Sequence, residues 1–386
     1  MKNIVIVVGT RPEVIKMAPV VMELRKSSTL KPILLSTGQH RQMLDQALKS
    51  FDLQPDFDLA LMQPGQTLTE LTARVLTSVG SFLVERKPDA ILVQGDTTTV
   101  LASALAAAYA RVPLGHVEAG LRTYNFDAPW PEEMNRRLTS PLCRWAFVPT
   151  EQSKANLLQE HIPSERCFVT GNTVIDALLW MRTRLESLRV DSVQLAQRLG
   201  IPDSFTGAYL TGSRKPWVLV TGHRRESFGQ GFDSICQSLL RLAGEHPDLG
   251  ILYPVHLNPN VREPVDRLLS KHNRIALIEP TGYEDFIWLM DRCKFIISDS
   301  GGVQEEAPSL GKPVLVMRET TERPEGVGAG TCRLVGTDPQ RISVEARVLL
   351  ENPSEYERRS ALANPYGDGR AATRIREILE REMIRD

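Results

Sequence analysis

Short apolar runs alternate with helix-like stretches along the whole chain, and no other feature constrains the fold as strongly. In the first half the runs are Ile4–Val8, Pro32–Leu35, Ala90–Val93, Pro113–Val117 and Ala146–Val148. In the second half they are Val218–Val220, Ile251–Val255, Ile275–Ile278, Phe295–Ile297, Val314–Met317 and Cys332–Val335. Stretches such as Glu13–Lys26, Thr67–Arg86 and Thr98–Arg111 carry helical patterning between them. Strand–helix alternation of this kind predicts α/β architecture, with parallel sheets covered by helices on both faces.

The two halves begin alike. Ile4-Val5-Ile6-Val7-Val8-Gly9-Thr10-Arg11 resembles Val218-Leu219-Val220-Thr221-Gly222-His223-Arg224-Arg225: a strand, a glycine, then cations ahead of a helix. With 386 residues, the chain suits two Rossmann-like domains rather than one core. The Gly/Pro-bearing connectors between Gly171 and Pro216 hold the boundary. The expected division is residues 1–171 as the N-terminal domain and 172–363 as the C-terminal domain. After the turn Asn364-Pro365-Tyr366-Gly367-Asp368-Gly369, a last amphipathic helix within 364–386 joins the first domain.

Charge and cysteine usage exclude several function classes. The formal net charge is −1, so no global basic field points to nucleic acid, and anion binding must come from local arginines. The five cysteines form no CxxC, which argues against a disulfide framework or a zinc site. The run Ile4–Val8 is too short to span a bilayer, and no cleavage-type segment follows it. The expectation is a reduced, cytoplasmic protein that does not associate with membranes.

Chemistry-bearing residues cluster at the expected strand ends, where open α/β sheets bind ligands. Gly9-Thr10-Arg11-Pro12-Glu13 follows the first strand; Gly9 would admit a ligand close to the backbone, and Arg11 and Lys16 suit a diphosphate. No GxGxxG and no GxxxxGK[ST] occurs there, which argues against a dinucleotide site and a P-loop. Asp96 ends another strand ahead of a hydroxyl run that can cap a helix. Glu118 follows the strand ending at Val117, and Glu132 opens a helix on which Arg136 lies four residues along. Three carboxylates, Asp96, Glu118 and Glu132, could shift one another's pKa values and divide acid and base roles. In the second half, His223 follows the corresponding strand end, where stacking the halves face to face would set it opposite Arg11, suited to stabilising an anion. Ser300-Gly301-Gly302 presents bare backbone N–H groups at a helix start, and Glu306, one turn along, suits the hydroxyls of a ribose.

Together these motifs resemble the non-hydrolysing UDP-N-acetylglucosamine 2-epimerases over essentially the whole length. The carriers are GTRPEVIKMAP, GDTTTVLA, GHVEAGLRT, WPEEMNRR, TGNTVIDAL, TGHRRESFG, PVHLNPNVREPV, SDSGGVQEEAPSLGKPVLVMRETTERPE and NPYGDG, in that order. The resemblance implies a glycosyltransferase-B-like architecture, two Rossmann-like domains with the active site in the interdomain cleft and UDP held by the second. It implies interconversion of UDP-GlcNAc and UDP-ManNAc by elimination of UDP to a glucal and re-addition on the other face. Neither NAD nor a metal is implied. The catalytic residues it implies are Asp96, Glu118, Glu132 and His223. Substrate binding falls to Arg11, Lys16, Arg136, Thr281, Phe286, Ser300, Gly301, Gly302, Glu306 and Arg323.

Many bacterial members also bind UDP-GlcNAc at an activating site, which Gln39, His40, Gln66, Arg224, Arg225 and His256 match in part. One departure is that some members carry an arginine before the glutamine where this chain has Gly65-Gln66. A homodimer is a further implication. Two competing readings share the nucleotide site: a UDP-dependent glycosyltransferase, and a catalytically silent UDP-sugar sensor. Neither needs Asp96, Glu118 and Glu132 together with His223.

Overall fold

A computed structural model describes the chain except residues 39, 40, 64, 213, 214, 385 and 386, and leaves the side chains of 41, 42 and 384 undescribed. Two compact units emerge, one of Met1–Ala177 with Tyr366–Asp386, the other of Leu178–Pro365. Each is built on one parallel sheet.

The first unit holds β1 (Lys2–Val8), β2 (Leu30–Ser36), β3 (Phe57–Asp58), β4 (Ala90–Gln94), β5 (Leu114–Val117), β6 (Trp145–Val148) and β7 (Cys167–Val169). Their order is β3-β2-β1-β4-β5-β6-β7. The second unit holds β8 (Trp217–Thr221), β9 (Gly250–Pro254), β10 (Ile275–Ile278), β11 (Ile296–Ser298), β12 (Val314–Val316) and β13 (Cys332–Leu334), in the order β10-β9-β8-β11-β12-β13. Both sheets start in the middle, run outward, then return to the other side of the first strand. That is the doubly wound order, and it reverses direction once in each sheet, between β1 and β4 and between β8 and β11.

Every apolar run singled out in the sequence is a strand or overlaps one. The two strands not anticipated, β3 and β7, are two and three residues long and lie at the edges of their sheet. Segments that short carry no readable periodicity; they become strands only because β2 and β6 offer ladder partners.

The core follows from the alternation. Val5, Val7, Ile91 and Val93 pack against Leu71, Val75 and Val79, which recur every four residues on the helix Leu68–Arg86. In the second unit Val218, Val220, Ile251 and Ile297 pack with Phe232, Ile235, Leu239 and Leu242 of the helix Gln230–Glu245. Each such side chain taken out of water contributes roughly 1.5–3 kcal/mol. All five cysteines are free and buried. No described helix is long and apolar enough to cross a membrane.

The last helix, Ala371–Ile384, belongs to the first unit. The Asp176 carboxylate caps it, accepting the backbone N–H groups of Ala371 at 3.1 Å and Ala372 at 2.9 Å. Ile375 and Leu379 bury against the body of the unit, and the helix packs on Arg11–Leu24.

Candidate functional site

The switch point of the first sheet gathers the residues that end β1, β4 and β5. The helix Arg11–Leu24 starts directly after β1 because Glu13 turns back on its own N-terminus. Glu13 Oε2 accepts the backbone N–H of Gly9 at 2.6 Å and of Thr10 at 2.7 Å, and Oε1 accepts the Thr97 hydroxyl at 2.6 Å. Burial pushes the Glu13 carboxyl up from its ordinary value, against these hydrogen bonds. Gly9 also has a packing role. A Cβ at Gly9 would meet Thr37 Oγ1 at 2.5 Å and Thr99 Oγ1 at 2.7 Å, so internal packing already requires glycine.

Arg11 stands exposed at the start of this helix. Lys16, one turn further, points inward: its Nζ donates to both oxygens of Glu118, each at 2.6 Å. Glu118 follows β5 in the left-handed region, φ 64°, and is buried. The Gln94 amide donates to its Oε2, and Asn172 Nδ2 to its Oε1 at 3.2 Å. Lys16, Gln94 and Asn172 thus all donate to this one buried carboxylate.

Asp96, after β4, is one-quarter exposed, 26%. Its Oδ2 accepts Arg136 Nε at 2.9 Å and Nη2 at 2.7 Å, while Oδ1 has no partner among the described residues. The sequence spacing suggested that Arg136 shares a helix face with Glu132. Arg136 pairs with Asp96 and with fully buried Glu133, whose Oε2 accepts Nη1 at 3.1 Å. Glu133 also accepts the backbone N–H groups of Thr123 and Tyr124, both at 3.0 Å, so it ties the loop after β5 to the helix Glu132–Thr139. Glu132 is half-buried and makes no hydrogen bond or ion pair with a described residue. Pro131 is the cap before this helix.

His116 lies inside β5 beneath these groups. Its Nε2 is 2.7 Å from the Gly95 carbonyl, to which it must donate, and its buried Nδ1 has no partner. Burial lowers its pKa to about 4, so it is neutral at ordinary pH.

The second switch point is built from the ends of β8 and β11. Asp299 is fully buried; its Oδ2 accepts the backbone N–H of His223 at 2.7 Å and of Arg224 at 2.8 Å. His223 Nδ1 lies 3.1 Å from Asp299 Oδ1, while the imidazole stays 42% exposed. Burial alone would raise the Asp299 pKa; the His223 ring and the two N–H groups outweigh it, and the net shift is downward. The His256 ring stacks on His223 with centroids 5.7 Å apart.

Ser300 caps the short helix Gly301–Glu306. Gly301 carries the Arg323 guanidinium against it: a Cβ there would lie 3.1 Å from Cζ. Arg323 Nε donates to buried Glu305 at 2.8 Å, and its Nη1 lies 3.0 Å from Glu322. Glu322 also takes Arg224 at 3.3 Å and Arg318 at 2.5 Å. Burial opposes its ionisation, yet the arginines, Arg323 foremost, bring its pKa down to about 2. Glu306 is buried and accepts the Tyr283 hydroxyl at 3.0 Å. Thr281 and Phe286 flank the start of the helix Tyr283–Arg292 and are half-buried.

Among the residues matched to an activating site, Gln39 and His40 lie outside the described residues. Gln66 accepts Arg74 at 3.1 Å, Arg225 is exposed, and Arg224 and His256 lie beside His223 as above. Sequence reasoning gave no role to Gln94, Asn172, Glu133, Asp299 or Tyr283. Each stands within or next to a motif already singled out, but only the fold shows which carboxylate or ring it touches.

With that geometry in hand, residues 22–380 match the family model for UDP-N-acetylglucosamine 2-epimerase. The chain is 54% identical over 382 residues to the UDP-N-acetylglucosamine 2-epimerase of Escherichia coli (strain K12), covering 99% of both. It is 50% identical over 377 residues to that of Neisseria meningitidis serogroup A, covering 98% of this chain and 99% of the relative. The crystal structure of the Neisseria meningitidis enzyme bound to UDP-GlcNAc matches with a TM-score of 0.87 at 49% identity, over 98% of this chain and 100% of that one. The Methanocaldococcus jannaschii enzyme in complex with UDP-GlcNAc and UDP matches with a TM-score of 0.78 at 32% identity, over 98% and 99% of the two chains. The two parallel-sheet domains are of the glycosyltransferase-B-like class that the sequence motifs implied. Agreement of this length and identity decides the matter: the chain belongs to the UDP-N-acetylglucosamine 2-epimerase family and is an isomerase.

Proposed function

We propose that the chain interconverts UDP-GlcNAc and UDP-ManNAc by anti elimination and re-addition of UDP. The observation that carries this reading is the pair of carboxylates at the first switch point, Asp96 and Glu118, each held by a cation beside the end of β4. A carboxylate removes the C2 proton, the electron pair forms the C1–C2 double bond, and the C1–O bond to UDP breaks. The product pair is UDP and 2-acetamidoglucal. Protonation of C2 on the opposite face and return of UDP to C1 give the epimer. Two faces call for separate acid and base groups, which Asp96, Glu118 and Glu132 supply.

Asp96 suits this work because Arg136 engages Oδ2 only. Glu118 must shed a donor before it can exchange a proton. Lys16 is suited to leave it, since a diphosphate offers the ammonium a stronger anion. Arg11 and His223 would stabilise the departing diphosphate. Ser300, Gly301, Gly302 and Glu306 would hold the nucleotide, Thr281 and Phe286 would border the uracil, and Arg323 would complete the substrate contacts. The elimination is redox-neutral and uses neither NAD nor a metal. We assign the product to bacterial surface polysaccharide, the enzyme to the cytoplasm, and the active form to a homodimer. UDP-GlcNAc would also act as an activator at the residues around Gln66, Arg224, Arg225 and His256.

The test is incubation with UDP-GlcNAc in D2O without added NAD or metal. UDP-ManNAc with deuterium at C2 is the expected product. Sugar transfer to an acceptor would instead support the glycosyltransferase reading. Release of free ManNAc or dependence on NAD would overturn the mechanism.

A further inference from the structure

We infer that Asp299 is the positioning residue of His223: it fixes which ring nitrogen carries the proton and turns the other nitrogen toward the leaving diphosphate. The inference rests on the reading of His223 given above. Its basis is the division of labour between the two oxygens of one buried carboxylate. Oδ2 is occupied by two backbone N–H groups, those of His223 and Arg224, at 2.7 and 2.8 Å. These bonds pin the loop that follows β8 to the end of β11. Oδ1 is shielded from water, and its polar neighbour among the described residues is His223 Nδ1, 3.1 Å away.

A buried anionic oxygen with no other donor needs a proton on that nitrogen. Oδ1 makes no hydrogen bond of good geometry; a proton on Nδ1, 3.1 Å away, would supply its donor and leave Nε2 free on a ring that is 42% open to solvent. The surroundings favour this arrangement. Asp299 is the buried negative charge nearest the ring, burial and the His223 charge lower the pKa of the stacked His256, and Arg224 turns its side chain toward Glu322. When the ring is doubly protonated, its Nε2–H and positive charge together oppose the charge developing on a leaving diphosphate.

The experiment combines kinetics with ring ¹⁵N spectra of the full chain. In the wild-type chain, Nδ1 should remain protonated even at a pH where the ring is neutral; a bare Nδ1 there overturns the proposal without any variant. In Asp299→Asn, the amide oxygen keeps the two backbone N–H groups and the amide nitrogen faces Nδ1. The ring proton should then move to Nε2, and kcat should fall about 10- to 100-fold with KM changed less than about threefold, as expected for an interaction made only in the transition state. His223→Asn should lower kcat at least as much, and the double variant should be no worse than His223→Asn alone. Additive losses would show that Asp299 acts through the loop rather than the ring, and would overturn the inference. If His223→Asn leaves turnover intact, the role given to His223 fails, while the ring spectra of wild type and Asp299→Asn still decide whether Asp299 sets the proton position.

Discussion

The two switch points share one topology and carry opposite chemistry. At the first, carboxylates stand at the strand ends and cations come to them: Lys16 to Glu118, Arg136 to Asp96. At the second, His223, Arg225 and Glu226 are exposed, and Asp299 and Glu305 are buried beneath their cations. The histidines differ in the same sense. His116 is sealed inside β5 and neutral, whereas His223 lies at the surface on a buried carboxylate. One doubly wound frame thus carries cation-held carboxylates in one unit and, in the other, a histidine on a buried carboxylate. The frame supplies places, and the side chains at the strand ends make the two places different.

The largest expected effects test that division. Asp96→Asn should lower kcat by about 10²- to 10⁴-fold, the usual reach of a general acid or base, while UDP affinity measured by calorimetry stays within about threefold. Glu306→Gln should do the reverse: about tenfold weaker UDP binding, the loss of one hydrogen bond to a charged group, with kcat at saturation little changed. A loss of UDP affinity in Asp96→Asn as large as its loss of turnover would break the comparison.

Backbone demands come next. Gly120 lies just past Glu118 at φ 86°, and a Cβ there would be 2.3 Å from the Ser153 carbonyl oxygen. Gly120→Ala should destabilise the first unit by roughly 2–5 kcal/mol, combining left-handed strain with overpacking, read as a lower urea midpoint. Gly282→Ala in the second unit meets no atom within 4 Å and should move the midpoint by less than about 1 kcal/mol. A smaller loss for Gly120→Ala than for Gly282→Ala would mean that the loop bearing Glu118 is not rigidly held.

The last effects are in pH. His116 has a folded pKa of about 4 against an ordinary 6.5. The unfolded chain takes the proton first as pH falls, so this group's contribution is intact above 6.5 and is lost as pH drops toward 4, by up to about 3 kcal/mol. Asp176 works in the opposite direction, with a folded pKa of about 6 against 3.8 because burial raises it. Its protonated form favours the folded state below pH 3.8, and that contribution disappears as pH rises through 6. Urea midpoints between pH 4 and 7 should therefore fall less steeply in acid for His116→Gln, and more steeply for Asp176→Asn, than for the wild-type chain. Unchanged slopes in both would mean that neither group titrates as its burial requires.

Much of this was legible before folding. Apolar runs located eleven of the thirteen strands among the described residues, because a buried parallel strand must be continuously apolar. The glycine-and-charge motifs landed at both sheet reversals, because a ligand site needs backbone N–H groups and charges at strand ends. What stayed open were pairings. Spacing along a helix showed only that Arg136 lies one turn from Glu132; its partner, Asp96, is 40 residues away in sequence. Gly9 read as an opening for ligand and is also hemmed in by Thr37 and Thr99.

The sequence by itself determined the two doubly wound units, the family and the residue types at the strand ends, since periodicity and local motif chemistry are carried by neighbouring residues. Only the tertiary structure decided which partner each charge takes. Asn172 on Glu118, Glu133 behind Arg136 and Asp299 under His223 are contacts across 54, 3 and 76 residues of chain. Even the shortest depends on where the Thr123–Tyr124 backbone arrives. A buried charge must find its complement wherever the packed chain brings one, and no spacing rule encodes that search.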